Sequence, residues 1–126
     1  MDFNGTWQMY VQENPEEFLK AISAPEIFLK MIKEVKPVTT IQQNGDNFVI
    51  TVKTTLRSNT NSFTIGKEAE ITTIDGKKMK TTPKLVDGKL VIETDLGSHV
   101  REIQGGDMVE TLTAGTATLI RRSRRV

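Results

Sequence analysis

The chain has 126 residues, of which 37% are hydrophobic and 26% charged, and its formal net charge is +1 at pH 7. This length gives room for a single domain, 1–126, and the composition is that of a soluble globular protein. The small net charge gives no basis for nucleic-acid binding, and the lack of cysteine excludes disulfides and cysteine-based zinc sites. We see neither a membrane-length apolar stretch nor a secretory signal, so we expect a cytoplasmic protein.

The first predicted element is a half-buried strand within GTWQMYVQ. Trp7, Met9 and Val11 fall on one face of this strand, and polar residues alternate with them on the other.

The hydrophobic period then changes, and two short helices are predicted over about 15–36. Asn14 is placed to cap the first helix, Pro15 suits its first position, and Glu17 completes a capping-box-like arrangement. Pro37 ends the second helix. Helices this short have no core of their own, so we interpret the pair as a lid over one open end of a β structure.

From residue 38 onward the pattern is that of antiparallel hairpins. Short segments rich in β-branched residues are separated by turn pairs that tolerate positive φ, namely Asn44-Gly45, Asp75-Gly76, Asp87-Gly88, Gly105-Gly106 and Ala114-Gly115. With the first strand, about ten strands are expected, and a meander of this kind removes its edges by closing into a barrel. Pro83 lies inside one predicted strand, where it requires a bulge or a position that donates no ladder hydrogen bond.

Charged residues share strand faces with apolar ones. In ATLIRRSRRV, Arg121 has the parity of Leu119, and in GSHVREI, His99 has the parity of Arg101. Such strands indicate an interior that holds water and an amphipathic anion instead of a dry core. A guanidinium group suits this task because it is always charged and donates two hydrogen bonds to one carboxylate. Glu110 has inward parity as well, and it would balance the charge of Arg121 in an empty cavity.

Motifs at both ends of the chain resemble those of the intracellular lipid-binding proteins, which include fatty-acid-binding and bile-acid-binding proteins. The opening resembles the family signature in GTWQMYVQENPEEFLKAI, and the similarity continues through KPVTTIQQNGDNF and NSFTIGKEAEITTIDGKK to MVETLTAGTATLIRRSRRV. These segments look like the liver basic, bile-acid-binding branch, which also has Arg121-Arg122-Ser123 where many relatives have Arg-x-Tyr. Pro15 departs from the family pattern, which usually has an aromatic residue there.

This resemblance implies an all-β fold: a ten-stranded antiparallel up-and-down β-barrel, or β-clam, with a helix-turn-helix lid after strand one. It implies a non-catalytic carrier of bile acids, long-chain fatty acids or both, in which Arg121 contacts the anionic head. The expected ligand-binding residues are Thr54, Thr55, Leu56, Thr73, Lys77, His99, Val100, Arg101 and Arg121. We expect no cofactor, and no metal site because the single histidine has no evident second ligand.

The sequence also permits other functions. A lipocalin-type carrier of another small hydrophobic ligand would share the start Gly5-x-Trp7, but lipocalins are generally longer, secreted and disulfide-bearing. An enzyme is not expected, since the sequence has no Cys-His pair, no Gly-x-Ser-x-Gly elbow and no phosphate loop.

The remaining basic residues are interpreted as solvated. The run at residues 122–125 has no interleaved aromatic residues for base stacking, which argues against nucleic-acid binding. Lys20, Lys30 and Lys33 on the helices suggest an alternative role in transient contact with anionic membranes. We otherwise expect a monomer.

Overall fold

The computed structural model describes residues 3–27, 30, 36–54, 58–73, 76–95 and 97–126. Its helix and strands, in chain order, are β1 (Gly5–Glu13), α1 (Pro15–Ala21), β2 (Val38–Asn44), β3 (Asn47–Lys53), β4 (Ser58–Thr64), β5 (Ala69–Thr72), β6 (Lys78–Thr81), β7 (Lys84–Val86), β8 (Lys89–Glu93), β9 (Gly97–Gln104), β10 (Asp107–Ala114) and β11 (Ala117–Arg125).

Most of these strands form one antiparallel sheet. Within the described residues its order is β4-β3-β2-β1-β11-β10-β9-β8-β7, and β5 pairs with β6 separately. Apolar residues from distant positions in this order meet in a single cluster, for example Trp7 of β1, Phe63 of β4 and Leu90 of β8. Such contacts require a strongly curled sheet. The prediction of an all-β, antiparallel, barrel-like fold with a helix after strand one is confirmed.

One predicted strand is divided at proline. Thr82 and Pro83 separate β6 from β7, so the described part of the chain has eleven strand segments where about ten were expected. Proline has no N–H for the ladder, which explains the interruption. The carbonyl of Pro83 accepts a hydrogen bond from Gly66 N–H at 2.9 Å, so the chain stays tied to its neighbour at the break.

A β-bulge changes the alternation of β1. The register of β1 against β11 shifts between Met9 and Val11, which inserts Tyr10 as an extra residue. Met9 is buried as predicted, but Val11 is 42% exposed, so the prediction that both share the buried face is wrong. Beyond the bulge, Gln12 takes the inward parity: it pairs with Arg121, and its side-chain oxygen is buried.

The helix α1 begins at Pro15, as predicted, but without the predicted capping box. Asn14 has left-handed backbone angles (φ 60°, ψ 39°) and makes no side-chain cap hydrogen bond, so no box with Glu17 forms. Its side-chain amide instead donates to the carbonyl of Thr118 in β11 at 3.3 Å. This hydrogen bond ties the start of the helix to the sheet.

Helix α1 packs its apolar side against the sheet. Phe18, Leu19 and Ile22 are buried in a second cluster with Leu112 of β10 and Leu119 of β11. The first predicted helix is therefore confirmed. Of the second, positions 26, 27 and 30 are helical, whereas 28–29 and 31–35 lie outside the described residues.

No helical segment in the described ranges has the length and hydrophobicity needed to cross a bilayer.

Candidate binding site

An internal cavity of about 180 Å³ lies between the two apolar clusters. Members of both clusters reach its wall, among them Phe63 from the first and Leu19 from the second. The apolar lining residues are Phe18, Leu19, Ile22, Pro37, Ile50, Val52, Phe63, Ile71, Met79, Ile92 and Leu112. Because these residues come from α1 and from strands around the barrel, the fold surrounds an apolar ligand on several sides.

Uncharged polar side chains supply much of the remaining wall. The hydroxyl and amide residues in the lining are Thr39, Thr54, Asn59, Asn61, Thr72, Thr73, Thr94, Ser98 and Thr113. Two of them already contact each other, since the hydroxyls of Ser98 and Thr113 lie 2.7 Å apart. Hydroxyl groups both donate and accept hydrogen bonds, so the cavity can also recognise polar groups on a largely apolar ligand.

Four ionisable side chains face the cavity from three adjacent strands. His99 and Arg101 lie on β9, Glu110 on β10 and Arg121 on β11. The register places Glu110 opposite both Arg101 and Arg121. Residues at two-residue spacing share a strand face, so the inward position predicted for these side chains is confirmed.

Glu110 is the centre of this charged cluster and is only 2% exposed. Its Oε1 accepts a hydrogen bond from His99 Nε2 at 2.8 Å and lies 3.3 Å from Arg101 Nε. Burial alone would raise the pKa of this carboxyl, but the nearby charges of Arg121 and Arg101 outweigh burial and hold its pKa well below the usual range. Glu110 is therefore a carboxylate at neutral pH, and it accepts its hydrogen bonds without donating any.

His99 is the neutral member of the cluster. Burial, and next the charge of Arg101, lowers the pKa of His99 to about 4. At pH 7 the ring carries one proton, which must be on Nε2 because that nitrogen donates to Glu110. Burial also lowers the pKa of Arg101, but guanidinium groups keep their charge in proteins. Two positive charges and one negative charge remain, so the cluster has a net charge of +1.

Arg121 lowers the pKa of Glu110 from the neighbouring strand, but it does not form an ion pair with that carboxylate. Its side chain is buried, and its Nε donates to the Met9 sulfur at 3.3 Å, a weak acceptor. In the described part of the chain, Arg101 forms an ion pair with Glu110, and Arg121 forms none within 4.0 Å. The geometry thus presents Arg121 as the group best able to take an external anion.

The other residues predicted to bind ligand differ in position. Thr54 and Thr73 line the cavity. Val100 has the opposite parity to His99 and does not line it, and neither does the exposed Lys77. The carbonyl of Lys77 accepts a hydrogen bond from Thr73 N–H at 2.8 Å, so the backbone of Lys77 stabilises the turn. Outside the described residues lie Thr55 and Leu56.

Our sequence reasoning missed several lining residues. Asn59 and Asn61 on β4 reach the cavity, and they share the strand parity of the buried Phe63. Alternation around Phe63 was therefore a usable signal. The side chains of α1 were assigned to a lid, but Phe18 and Ile22 also form part of the cavity wall.

Comparison with known proteins gives matches along the whole chain. Residues 1–126 match the model of the lipocalin / cytosolic fatty-acid binding protein family. A curated protein from Schroederichthys bivius named "Fatty acid-binding protein, liver" is 56% identical over 126 residues, which is 100% of both chains.

Solved structures agree in fold. A zebrafish ileal bile acid-binding protein complexed with cholic acid has a TM-score of 0.85 and 40% identity, covering 98% of each chain. The REP1-NXSQ fatty acid transporter has a TM-score of 0.94 and 30% identity, covering 99% of this chain and 96% of its own. The resemblance that the terminal motifs indicated is confirmed. Both the full-length family match and the 56% identical relative show that this chain belongs to the lipocalin / cytosolic fatty-acid binding protein family.

Proposed function

We propose that this protein is a non-catalytic cytoplasmic carrier that binds bile acids in its barrel cavity, with long-chain fatty acids as the second ligand class. The observation that carries the proposal is the buried cluster of net charge +1 inside a largely apolar cavity. An uncompensated buried charge is unfavourable in a low-dielectric interior. An amphipathic anion supplies both the missing negative charge and the apolar surface.

The polar groups of the wall favour a bile acid over a fatty acid. A fatty-acid tail has no hydrogen-bonding groups, whereas a hydroxylated steroid meets polar side chains of the wall such as those of Asn59 and of Thr39, which is buried. Hydroxyl and amide groups donate and accept hydrogen bonds, so these side chains favour a ligand with distributed hydroxyls. A relative at 40% identity has been solved with cholic acid, which supports this choice. Other relatives are named for fatty acids, which supports long-chain fatty acids as the second ligand class.

In this proposal each member of the cluster has its own role. Arg121 is the electrostatic anchor for the ligand's acid group, because Arg101 is already paired with Glu110. His99 donates a hydrogen bond from Nε2–H to the Glu110 carboxylate and so holds that side chain in position. Phe18 and its neighbours on α1 cover the apolar body of the ligand.

A lipocalin-type carrier of a neutral hydrophobic ligand is the competing function. Such a ligand would bury Arg121 without supplying a counter-charge, which makes it the weaker candidate. We also predict that the protein is a monomer and that it makes transient contact with anionic membranes. The exposed Lys20 and Lys30 support the prediction of membrane contact.

Calorimetry with cholate and its uncharged methyl ester tests the anchor. We expect the protein to prefer the acid, and Arg121→Leu to lose about 2–5 kcal/mol of cholate binding while ester binding changes little. Arg122→Leu is the matched control, because Arg122 is the next residue on β11 but is exposed. If Arg121→Leu separates acid from ester as strongly as the parent protein, Arg121 is not the anchor.

Native mass spectrometry after gentle purification tests the ligand class and reports how many molecules bind. We expect the mass of the bound molecule to match that of a bile acid. A bile acid incubated with the protein should be recovered chemically unchanged. A neutral lipid would favour the lipocalin-type alternative, and a chemically altered product would contradict a non-catalytic role.

A further inference from the structure

A carboxylate in the wall of a cavity that binds anions opposes that binding. Glu110 lies within the cavity wall and repels any negative ligand head. Its charge reduces that of the lining, as far as the structure describes it, from +2 to +1. The cavity therefore carries less attraction for anions than its two arginines would provide alone.

The geometry holds this carboxylate firmly in place. Its Oε1 is shared between His99 Nε2 at 2.8 Å and Arg101 Nε at 3.3 Å, and the residue is almost fully buried. His99 is neutral at pH 7 because burial, and next Arg101, lowers its pKa to about 4. Glu110 lies opposite both arginines and offsets one of their two positive charges, so one positive charge remains in the cluster.

We propose that Glu110 is a specificity-determining residue that sets the charge of the ligand head at −1, so that the cavity accepts monoanionic amphiphiles and rejects dianionic ones. This inference rests on the proposed function as a carrier of amphipathic anions. One negative charge brings the occupied cavity to neutrality. A second would leave a buried excess of −1, which the low-dielectric interior disfavours.

The test uses two detergents of similar shape, decyl sulfate and decyl phosphate, below their micellar concentrations. At pH 8 a sulfate monoester carries one negative charge and a phosphate monoester close to two, since its second pKa is about 6. We expect the parent protein to bind decyl sulfate more tightly. Glu110→Gln keeps the side-chain shape but raises the cavity charge to +2. The sulfate-to-phosphate affinity ratio should then shift at least about tenfold towards phosphate.

Glu102→Gln is the matched control. Glu102 lies next to Arg101 on β9 with the opposite parity, and it pairs with Lys89 at 3.0 Å on the protein surface. This variant removes the same charge from the protein, but solvent screens that charge from the cavity. The affinity ratio should stay that of the parent protein.

Two further variants test whether the net charge of the cavity sets the preferred ligand charge, even if Glu110→Gln does not fold. Arg101→Gln lowers the cavity charge to 0, so preference should move from decyl sulfate to neutral decanol. The double variant Arg101→Gln with Glu110→Gln restores +1 and should again prefer decyl sulfate. If Arg101 were instead a direct anion anchor, the double variant would keep the preference for decanol, and the inference would be wrong.

The outcomes separate this inference from the proposed function. An unchanged sulfate-to-phosphate ratio in Glu110→Gln, with both anions still bound, overturns charge selection and leaves the carrier function intact. If the parent protein binds neither these anions nor cholate, the proposed function fails and the inference fails with it; if it binds cholate but neither detergent, only the inference fails. A preferred ligand charge of −2, −1 and 0 across Glu110→Gln, parent and Arg101→Gln supports the inference.

Discussion

At position 99 burial and the neighbouring charges turn an ordinary imidazole into a neutral hydrogen-bond donor. Burial contributes most to the lowered pKa of His99, Arg101 and Arg121 lower it further, and Glu110 opposes them. The result is a pKa of about 4 for His99, far from the 6.5 of an exposed ring. The same arginines hold the pKa of Glu110 well below its usual range. Residues that are adjacent only across strands thus set one another's protonation.

These pKa shifts predict that the protein loses stability in mild acid. The unfolded chain protonates His99 below about pH 6.5, whereas the folded protein does so only near pH 4. Between these values the unfolded state binds more protons, so the free energy of unfolding falls as pH decreases, by up to about 3 kcal/mol from this residue. Glu110 adds a further loss only below its usual range, because its folded pKa is depressed.

Urea unfolding at pH 7.5 and pH 5.0 checks this pH dependence. We expect the parent protein to lose about 2 kcal/mol of unfolding free energy between the two conditions. His99→Gln, which keeps a donor for Glu110 but does not titrate, should lose clearly less. An equal loss in both proteins would assign the effect to other groups.

At the scale of elements, the turn that ends α1 contains a residue with an unfavourable backbone conformation. Ser23 has φ 56° in a Schellman motif, in which Ala24 N–H donates to the Leu19 carbonyl at 2.9 Å and Ser23 N–H to the Lys20 carbonyl at 3.1 Å. Glycine adopts this conformation without strain, so Ser23→Gly should raise the free energy of unfolding by up to about 1 kcal/mol. Ser23→Ala should bring no such gain. Equal effects in thermal unfolding would show that backbone conformation is not the cause.

The strands β4 and β5 are joined by a side chain where a backbone ladder is missing. In the described sheet they do not pair, but Asn61 Nδ2 donates to the Thr72 carbonyl at 3.1 Å, and its Oδ1 accepts from Thr72 N–H at 2.9 Å. Both residues also line the cavity. The amide of Asn61 therefore closes a gap in the cavity wall.

Removal of this amide should open the gap. Asn61→Ala loses two hydrogen bonds, so we expect about 1–3 kcal/mol less protection of the Thr72 amide in hydrogen exchange, together with faster ligand exchange. Asn59→Ala is the control, because Asn59 lines the cavity from the same face of β4. Similar exchange at Thr72 in both variants would contradict a closing role for Asn61.

At the scale of the whole molecule, a charged cavity between two apolar clusters couples ligand binding to stability. The folded barrel assembles the cluster from three strands, and an unfolded chain offers no such site. Cholate at 100 times its dissociation constant should therefore raise the free energy of unfolding by about 2.7 kcal/mol. In a domain of this size the corresponding rise in melting temperature is roughly 10 °C.

Thermal unfolding with cholate and with its methyl ester measures this coupling. Both compounds are used at the same concentration. Because the ester lacks the charge that we propose Arg121 attracts, it should give the smaller rise in melting temperature. A rise that is equal for acid and ester would show that the charged cluster does not contribute to the coupling.

Local features of the sequence determined the class of fold and much of the site. Two-residue alternation is a property of any strand, so the shared face of His99 with Arg101 and that of Arg121 with Leu119 followed from the chain alone, and the family resemblance indicated that these faces point inward. An irregularity at Pro83 followed as well, because proline lacks an N–H in every context, although the structure has a break between two strands there instead of a bulge within one strand.

Only the tertiary structure decided features that depend on pairing between strands. The bulge that exposes Val11 arises from the register against β11. Gly97 is another case: a Cβ there would lie 1.6 Å from the carbonyl oxygen of Thr113, a contact that exists only once β9 and β10 pair. The same holds for the division of charge, in which Arg101 forms the ion pair with Glu110, whereas Arg121, opposite Glu110 on β11, forms none within 4.0 Å in the described structure. Alternation assigns a side chain to a face, but pairing between distant segments of the chain determines which side chains meet there.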